Sequence, residues 1–265
     1  PPPQRSSATL APSQQRPAAR IKAVVMSGVV AAAKAVLGFP FAVFRLFLES
    51  FPAVRTWASW FLWYPTIAFN RTVYVLLPAW RPMFSLVDAE HRLLLGAVPL
   101  FESDVQFLHS SHRVSAVLNM CSEWEDHLPL YASLGIRYHR EKVVDFTVPA
   151  RLQLLRCAQF IEECVAEGRT IYCHCKAGKG RSTCALLAWY MVFQGLAPER
   201  AWAALRVHRP HISKKHLTEG IQAFWAEVLS GAITPDSVRA GAWPGKRSAL
   251  SASAAESASR VVPSA

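Results

Sequence analysis

Cys175 and Arg181 stand six positions apart in the segment Cys173-His174-Cys175-Lys176-Ala177-Gly178-Lys179-Gly180-Arg181-Ser182-Thr183. Those two residue types at that spacing suit the binding and attack of a phosphate. A thiol becomes a strong nucleophile where positive potential lowers its pKa and populates the thiolate. A guanidinium offers a planar fork that grips two phosphoryl oxygens as charge spreads over them. Gly178 and Gly180 permit tight turns and close approach of a ligand to the main chain. The N–H groups of Lys176, Ala177, Gly178, Lys179, Gly180 and Arg181 would then line an anion cradle, with Lys176 and Lys179 raising the positive potential at its mouth. Ser182 is placed to donate a hydrogen bond to the sulfur when it later leaves, and His174 to orient the loop through its ring nitrogens. A metal site on Cys173-His174-Cys175 is disfavoured, because adjacent side chains of a strand point to opposite faces.

Such a loop needs a strand that ends at it and a helix that starts from it. An apolar run over 170–174 supplies the strand, and the apolar run from Arg181 to Phe193 supplies the helix. Further short apolar runs at 92–95, 114–119 and 136–144 predict other strands. Leu152, Leu155, Phe160, Ile161, Cys164 and Val165 predict one helix face ending at Gly168. Leu217, Ile221, Phe224, Trp225, Val228 and Leu229 predict a last amphipathic helix ending before Gly231, and Pro198 suits the first turn of a short helix running towards His208. The expectation is an α/β catalytic domain over 84–232, with a central sheet flanked by helices.

The chain has 265 residues, 52% of them hydrophobic and 18% charged, with a formal charge of +11. That is too apolar for a disordered polyelectrolyte, and a core of this size needs no disulfide staple. The six cysteines, at 121, 157, 164, 173, 175 and 184, show neither a scaffold repeat nor paired CxxC knuckles, which favours a reducing compartment. Residues 1–48 contain Arg5, Arg16, Arg20, Lys22, Lys34 and Arg45 and no acid. Residues 1–20 are expected to be disordered, with the composition of an organellar transit segment or of a plain low-complexity tail. Residues 21–83 read as an apolar helical extension, with acid- and base-free runs at 23–33, 35–44 and 56–70, all shorter than an unambiguous span. Its aromatics Trp57, Trp60, Trp63, Tyr64, Tyr74 and Trp80 favour contact with a membrane surface over a role as helical core. Residues 233–265 read as a second disordered tail. No recognition motif accompanies the basic charge, so nucleic acid is not an expected partner.

The segment His174-Cys175-x5-Arg181-Ser182 resembles the HCx5R(S/T) signature of the cysteine-dependent phosphatases, the protein-tyrosine-phosphatase superfamily. Tyr64-Pro65-Thr66, Leu93-Leu94-Leu95-Gly96-Ala97-Val98-Pro99, Val117-Leu118-Asn119-Met120 leading to Trp124-Glu125, and His208-Arg209-Pro210 follow in the order seen in its mitochondrial-type dual-specificity family, which includes phosphatidylglycerophosphate phosphatases. The resemblance covers roughly 60–230. Within that family's acidic segment only Glu125 aligns plainly, and the lysine-bearing loop also resembles that of the phosphatase-and-tensin family.

The resemblance implies a phosphocysteine mechanism with no cofactor and no metal. It also implies a general acid before the cradle strand, a position matched by Asp145 in Val144-Asp145-Phe146-Thr147, with Asp126 as the competitor. The implied substrate is a phospholipid phosphomonoester, phosphatidylglycerophosphate first. A phosphoinositide or a phosphoprotein remains open as alternative, as does a non-catalytic phosphate-binding role. The implied location is an organelle membrane, mitochondrial in preference to plastid.

Overall fold

The computed structural model describes residues 60–61, 63–76, 78 and 81–242. The expected disordered segment 1–20, the apolar stretch up to 59 and the last part of the tail, from 243, lie outside the described residues, as do Trp57 and Trp80.

The described chain runs α1 (Trp63–Leu76), β1 (Phe84–Asp88), β2 (Leu93–Ala97), α2 (Glu102–His112), β3 (Val114–Asn119), α3 (Leu128–Ser133), β4 (Arg137–Arg140), α4 (Arg151–Ala166), β5 (Thr170–Cys175), α5 (Arg181–Phe193), α6 (Pro198–His208), a 3-10 turn (Lys215–Leu217), α7 (Glu219–Leu229) and α8 (Pro235–Arg239). The strands form one sheet in the order β1-β2-β5-β3-β4. β1 pairs antiparallel with β2, and the other neighbours are parallel. β5 is therefore central, and its last residues are flanked by the ends of β2 and β3, with Ala97 opposite Cys175 and both Gly96 and Asn119 opposite His174. A crevice outside the carboxyl ends of strands, where the strand order switches direction, is where open α/β sheets place ligands.

Both faces of the sheet are covered, as parallel strands require. Leu93, Leu95, Ala116, Leu118, Ile171 and Cys173 point into a large core shared with α4, α5, α7 and α8. Leu94, Val117 and Tyr172, one position out of phase, point into a smaller core with Val105 and Leu108 of α2 and Tyr131 of α3. Helix α5 is buried from Arg181 to Val192, which explains its unbroken apolar sequence.

The structure departs from the sequence reading in several places. β4 ends at Arg140, not 144: the Glu141 N–H makes the last bond to β3, at Asn119 O, and beyond it the Val143 N–H turns back to Glu141 O, while Arg156 ion-pairs with the Glu141 carboxylate at 2.5 Å. Strand β1 lacks an unbroken apolar run, so its sequence pattern does not predict it. In α4 the core also takes Leu154, Cys157 and Ala158, while Leu152 and Val165 pack at its edge. Leu217 and Leu229 are exposed, so α7 buries only Ile221 and Phe224 fully. The domain is wider than 84–232 at both ends. Trp63 and Ile67 of α1 belong to the large core, and so do Ile233 and Val238, so the first part of the supposed tail is structured.

Candidate active site

Cys175 closes β5, and Gly180 precedes the first turn of the buried helix α5, so the loop between them lies at the positive end of that helix. Gly178 has φ +63°, and a Cβ there would come within 2.3 Å of Gly96 O. A Cβ on Gly96 would in turn meet the Tyr172 hydroxyl at 2.2 Å. Loop and strand β2 thus touch backbone to backbone, and neither glycine has a substitute.

The loop carbonyls are held from behind. Arg209, buried, donates from Nε to Gly178 O at 2.8 Å and from Nη2 to Ala177 O at 3.2 Å, while its Nη1 and Nη2 reach Pro82 O and Met83 O before β1. Lys179 O accepts from Ser213 N, Ser213 Oγ and Thr183 Oγ1. With its carbonyls turned outward, the loop turns N–H groups inward, and those of Lys179 and Ser182 reach the Cys175 sulfur. Ser182 Oγ also donates to Cys175 Sγ at 3.3 Å.

All six thiols are buried and free, and their environments separate them. Burial pushes Cys164 and Cys184 up to about 12 and raises Cys121, Cys157 and Cys173 as well. Burial acts in the same direction on Cys175, but the Arg181 charge and the hydrogen bonds from Ser182 and Lys179 outweigh it and lower the thiol to about 7.

Arg181 is 2% exposed. Its Nη1 donates to Glu123 Oε2 at 2.6 Å and to Val143 O at 2.7 Å. Nε and Nη2 are buried without a hydrogen-bond acceptor, although Nη2 lies 3.1 Å from Asp145 Oδ1. One edge of the fork is thus fixed and the other offers two donors, the arrangement that a bidentate oxyanion completes.

Asp145 sits on the loop that follows β4. Its Oδ2 is 2.5 Å from Lys176 Nζ, and its Oδ1 accepts from the N–H of Phe146, a non-glycine residue at φ +65°. Burial alone would raise this carboxyl, yet Arg181 and Lys176 hold it below the ordinary aspartate value. Lys215 Nζ donates to Phe146 O and ties the turn to the 3-10 segment. Lys176 is not at the mouth, as expected from the sequence, but is buried between the rings of Trp63 and Phe146, each 5.7 Å away. The competitor Asp126 lies elsewhere: its Oδ2 is 2.9 Å from His174 Nε2, and both side chains are inaccessible. His174 is thereby held from beneath, and its carbonyl accepts from Met120 N.

Sequence reasoning missed Glu123 and the function of Arg209. The aligned acid, Glu125, is exposed and pairs with Arg140 at 3.5 Å, whereas Glu123, two residues earlier, is the buried partner of Arg181. The Asn119 side chain shapes that turn, accepting from Cys121 N and donating to Trp124 O. The motif His208-Arg209-Pro210 was visible, but nothing in one sequence says that Arg209 holds the loop.

Residues 101–224 match the family described as dual specificity phosphatase, catalytic domain. The chain is 33% identical over 181 residues to the Rattus norvegicus protein phosphatidylglycerophosphatase and protein-tyrosine phosphatase 1, covering 64% of this chain and 91% of that one. It is 31% identical over 154 residues to the Arabidopsis thaliana phosphatidylglycerophosphate phosphatase PTPMT1, covering 57% of this chain and 44% of the plant protein. Among solved structures it is similar to that of PTPMT1 in complex with PI(5)P, with a TM-score of 0.51 and 28% identity over 57% of this chain and 99% of that one. The chain therefore belongs to the mitochondrial-type, phosphatidylglycerophosphatase-like dual-specificity phosphatases, within the cysteine-dependent protein-tyrosine-phosphatase superfamily.

Proposed function

We propose that this protein hydrolyses the phosphomonoester of phosphatidylglycerophosphate, in the formation of phosphatidylglycerol and cardiolipin, through a phosphocysteine intermediate. The observation that carries the chemistry is a single lowered thiol, Cys175, beside an arginine with two buried donors that lack a hydrogen-bond acceptor, one of them facing the Asp145 carboxylate. The substrate follows from the activity named for the rat and plant relatives.

In the first step the Cys175 thiolate attacks phosphorus in line, an S–P bond forms, and the P–O bond to the lipid breaks. Asp145 gives its proton to the departing alkoxide. Arg181 Nε and Nη2 and the loop amides take the phosphoryl oxygens, and Glu123 keeps the guanidinium plane in place. In the second step water attacks phosphorus, its proton passes to Asp145, and the S–P bond breaks to return the thiolate, which Ser182 stabilises. Before substrate enters, Asp145 is ionised against Lys176 and Arg181. The incoming phosphate displaces it from Arg181, which raises its pKa and lets it carry the proton that the first step requires.

The test is phosphate release by the full chain from phosphatidylglycerophosphate, a phosphoinositide panel and a phosphotyrosine peptide in mixed micelles. Phosphatidylglycerophosphate is expected to have the highest kcat/KM, and the Cys175→Ser variant to be inactive on all three while still binding substrate. A higher kcat/KM on the peptide would replace the lipid reading with the protein-phosphatase one. We place the enzyme at an organelle membrane, the mitochondrial one, held there by the apolar extension 21–83; fractionation of a chain lacking residues 21–51 tests this.

A further inference from the structure

The turn that carries Asp145 is held both from within and from a distance. Within it, Thr147 donates from N and Oγ1 to Val144 O, and Phe146 N donates to Asp145 Oδ1. From a distance, Lys215 Nζ donates to Phe146 O at 3.1 Å, across 69 positions of sequence. Phe146 has φ +65°, a left-handed backbone that a bulky side chain adopts only where its surroundings impose it. In that conformation its N–H faces the preceding carboxylate, so the backbone at Phe146 sets the aim of Asp145.

Lys215 is itself fixed against the phosphate loop. Just before it, Ser213 donates from N and Oγ to Lys179 O at 2.8 and 2.9 Å, while Ser213 O accepts from Trp202 Nε1. Lys215 O accepts from the N and Oγ1 of Thr218, which closes the 3-10 turn. The lysine stem passes the loop closely: a Cβ on Gly180 would lie 3.9 Å from Lys215 Cε. Of the adjacent lysines, Lys214 is exposed and Lys215 partly buried. Residues 213–215 thus join the phosphate loop to the Asp145 turn.

We propose that Lys215 is a positioning residue for the general acid: its bond to Phe146 O keeps the turn in the shape that aims Asp145 at the phosphate loop. This rests on the role proposed above for Asp145. The choice of acceptor supports it. Lys176 and Arg181 pair with the Asp145 carboxyl itself and keep it ionised. A further ammonium on that carboxyl would oppose the protonation that the first step requires. A bond to the main-chain carbonyl of the next residue instead holds the turn, and leaves the carboxyl able to take a proton once phosphate displaces it from Arg181. Proton transfer is sensitive to such placement, since a shift of about 1 Å costs on the order of 10²-fold.

The test is a double-mutant cycle on the full chain, with Lys215→Met and Asp145→Asn made singly and together. Substrates are nitrophenyl phosphate, phenyl phosphate and phosphatidylglycerophosphate in mixed micelles. The quantity compared is kcat/KM, which reports phosphoryl transfer to Cys175 and not the later hydrolysis. Lys215→Met is expected to lower it by about tenfold or more on the phenyl and lipid phosphates, whose leaving groups need a proton, and by less than about threefold on nitrophenyl phosphate. In the Asp145→Asn background the same change costs less than about twofold. Lys215→Arg, which keeps a charged donor on a long stem, stays within about threefold of the parent. Inorganic phosphate inhibits Lys215→Met no more weakly than the parent, because the loop and Arg181 are intact.

An equal loss on all three substrates overturns the inference, and so does a full further loss in the Asp145→Asn background, since either separates Lys215 from the acid. Weaker inhibition by phosphate also overturns it, because the damage then lies in the loop. A raised KM for the lipid alone makes Lys215 a contact of the headgroup and likewise overturns it. Where Lys215→Met is too unstable to assay, Lys215→Gln, whose amide ends short of Phe146 O, takes its place in the same cycle. If the parent cleaves the aryl phosphates but not phosphatidylglycerophosphate, the substrate reading fails by itself and Lys215 is judged on the two aryl substrates. If Asp145→Asn shows no dependence on the leaving group, the general-acid reading fails and the inference with it.

Discussion

At the scale of single residues, the site is a competition for positive charge. Asp145 pairs with Lys176 and with the open side of Arg181, and the same two cations keep it ionised. Asp145→Asn is therefore expected to have two effects of opposite sign. Turnover of an alkyl phosphate falls by about 10²- to 10⁴-fold, and an aryl phosphate with a good leaving group is spared most of that loss, because only the alkoxide needs a proton. Inorganic phosphate, in contrast, inhibits the variant at lower concentration, because no carboxylate competes for Arg181. Steady-state kinetics on both substrates with phosphate as inhibitor checks both halves; equal losses and unchanged inhibition would make Asp145 structural. The proposed nucleophile sets the pH response. With Cys175 at about 7, kcat/KM is expected to decline as pH falls below about 7, because protonation removes the thiolate. Ser182→Ala removes one of the hydrogen bonds that lower the thiol, so that limb moves to higher pH.

At the scale of elements, the phosphate loop keeps its shape because its neighbours hold the side away from the ligand. Arg209, at the end of α6, ties Gly178 O and Ala177 O to the chain entering β1. Its hydrogen bonds to the loop and to the chain before β1 go to main-chain carbonyls, so we propose it as a positioning residue. Arg209→Lys keeps the charge but cannot span these carbonyls with one ammonium. It is expected to lower kcat/KM by about tenfold or more and to move the Cys175 limb to higher pH as the loop amides lose alignment. A variant with lost activity and an unmoved limb would reduce Arg209 to a packing role. Gly178→Ala is a sharper case. Its Cβ would meet backbone atoms of Gly96 at 2.3–2.4 Å, with φ already positive, so β2 and the loop must part.

At the scale of the whole molecule, the catalytic unit extends past the last amphipathic helix. Ile233 and Val238 are 1% and 0% exposed, and Val238 sits in α8 between Thr234 and Ala240. Full burial of an aliphatic side chain is worth about 1.5–3 kcal/mol. Truncation after residue 232 is therefore expected to lower stability by about 3–6 kcal/mol, whereas truncation after 242 leaves it within about 0.5 kcal/mol of the full chain. Urea unfolding of the two truncations measures the difference, and equal midpoints would remove α8 from the core.

The sequence alone determined the chemistry and its local frame. A strand ending at Cys175, two glycines, Arg181 and a buried helix are contiguous, so their meaning survives without tertiary information. The expected elements 170–174, 181–193 and 198–208 appear nearly as read, because period and turn residues are local signals. The partners brought to that frame from a distance were decided only by the fold. Glu123 rather than Glu125 reaches Arg181 because the turn after β3, pinned by Asn119, points one carboxylate inward and the next to solvent. Asp126 and Asp145 are both loop carboxylates, but the first is buried on His174 and the second pairs with Lys176 and Arg181. Lys176 looked like a surface charge until Trp63, 113 positions away, closed over it. These choices depend on which strands lie side by side and on the direction in which each side chain leaves its turn, and a linear pattern of residue types encodes neither.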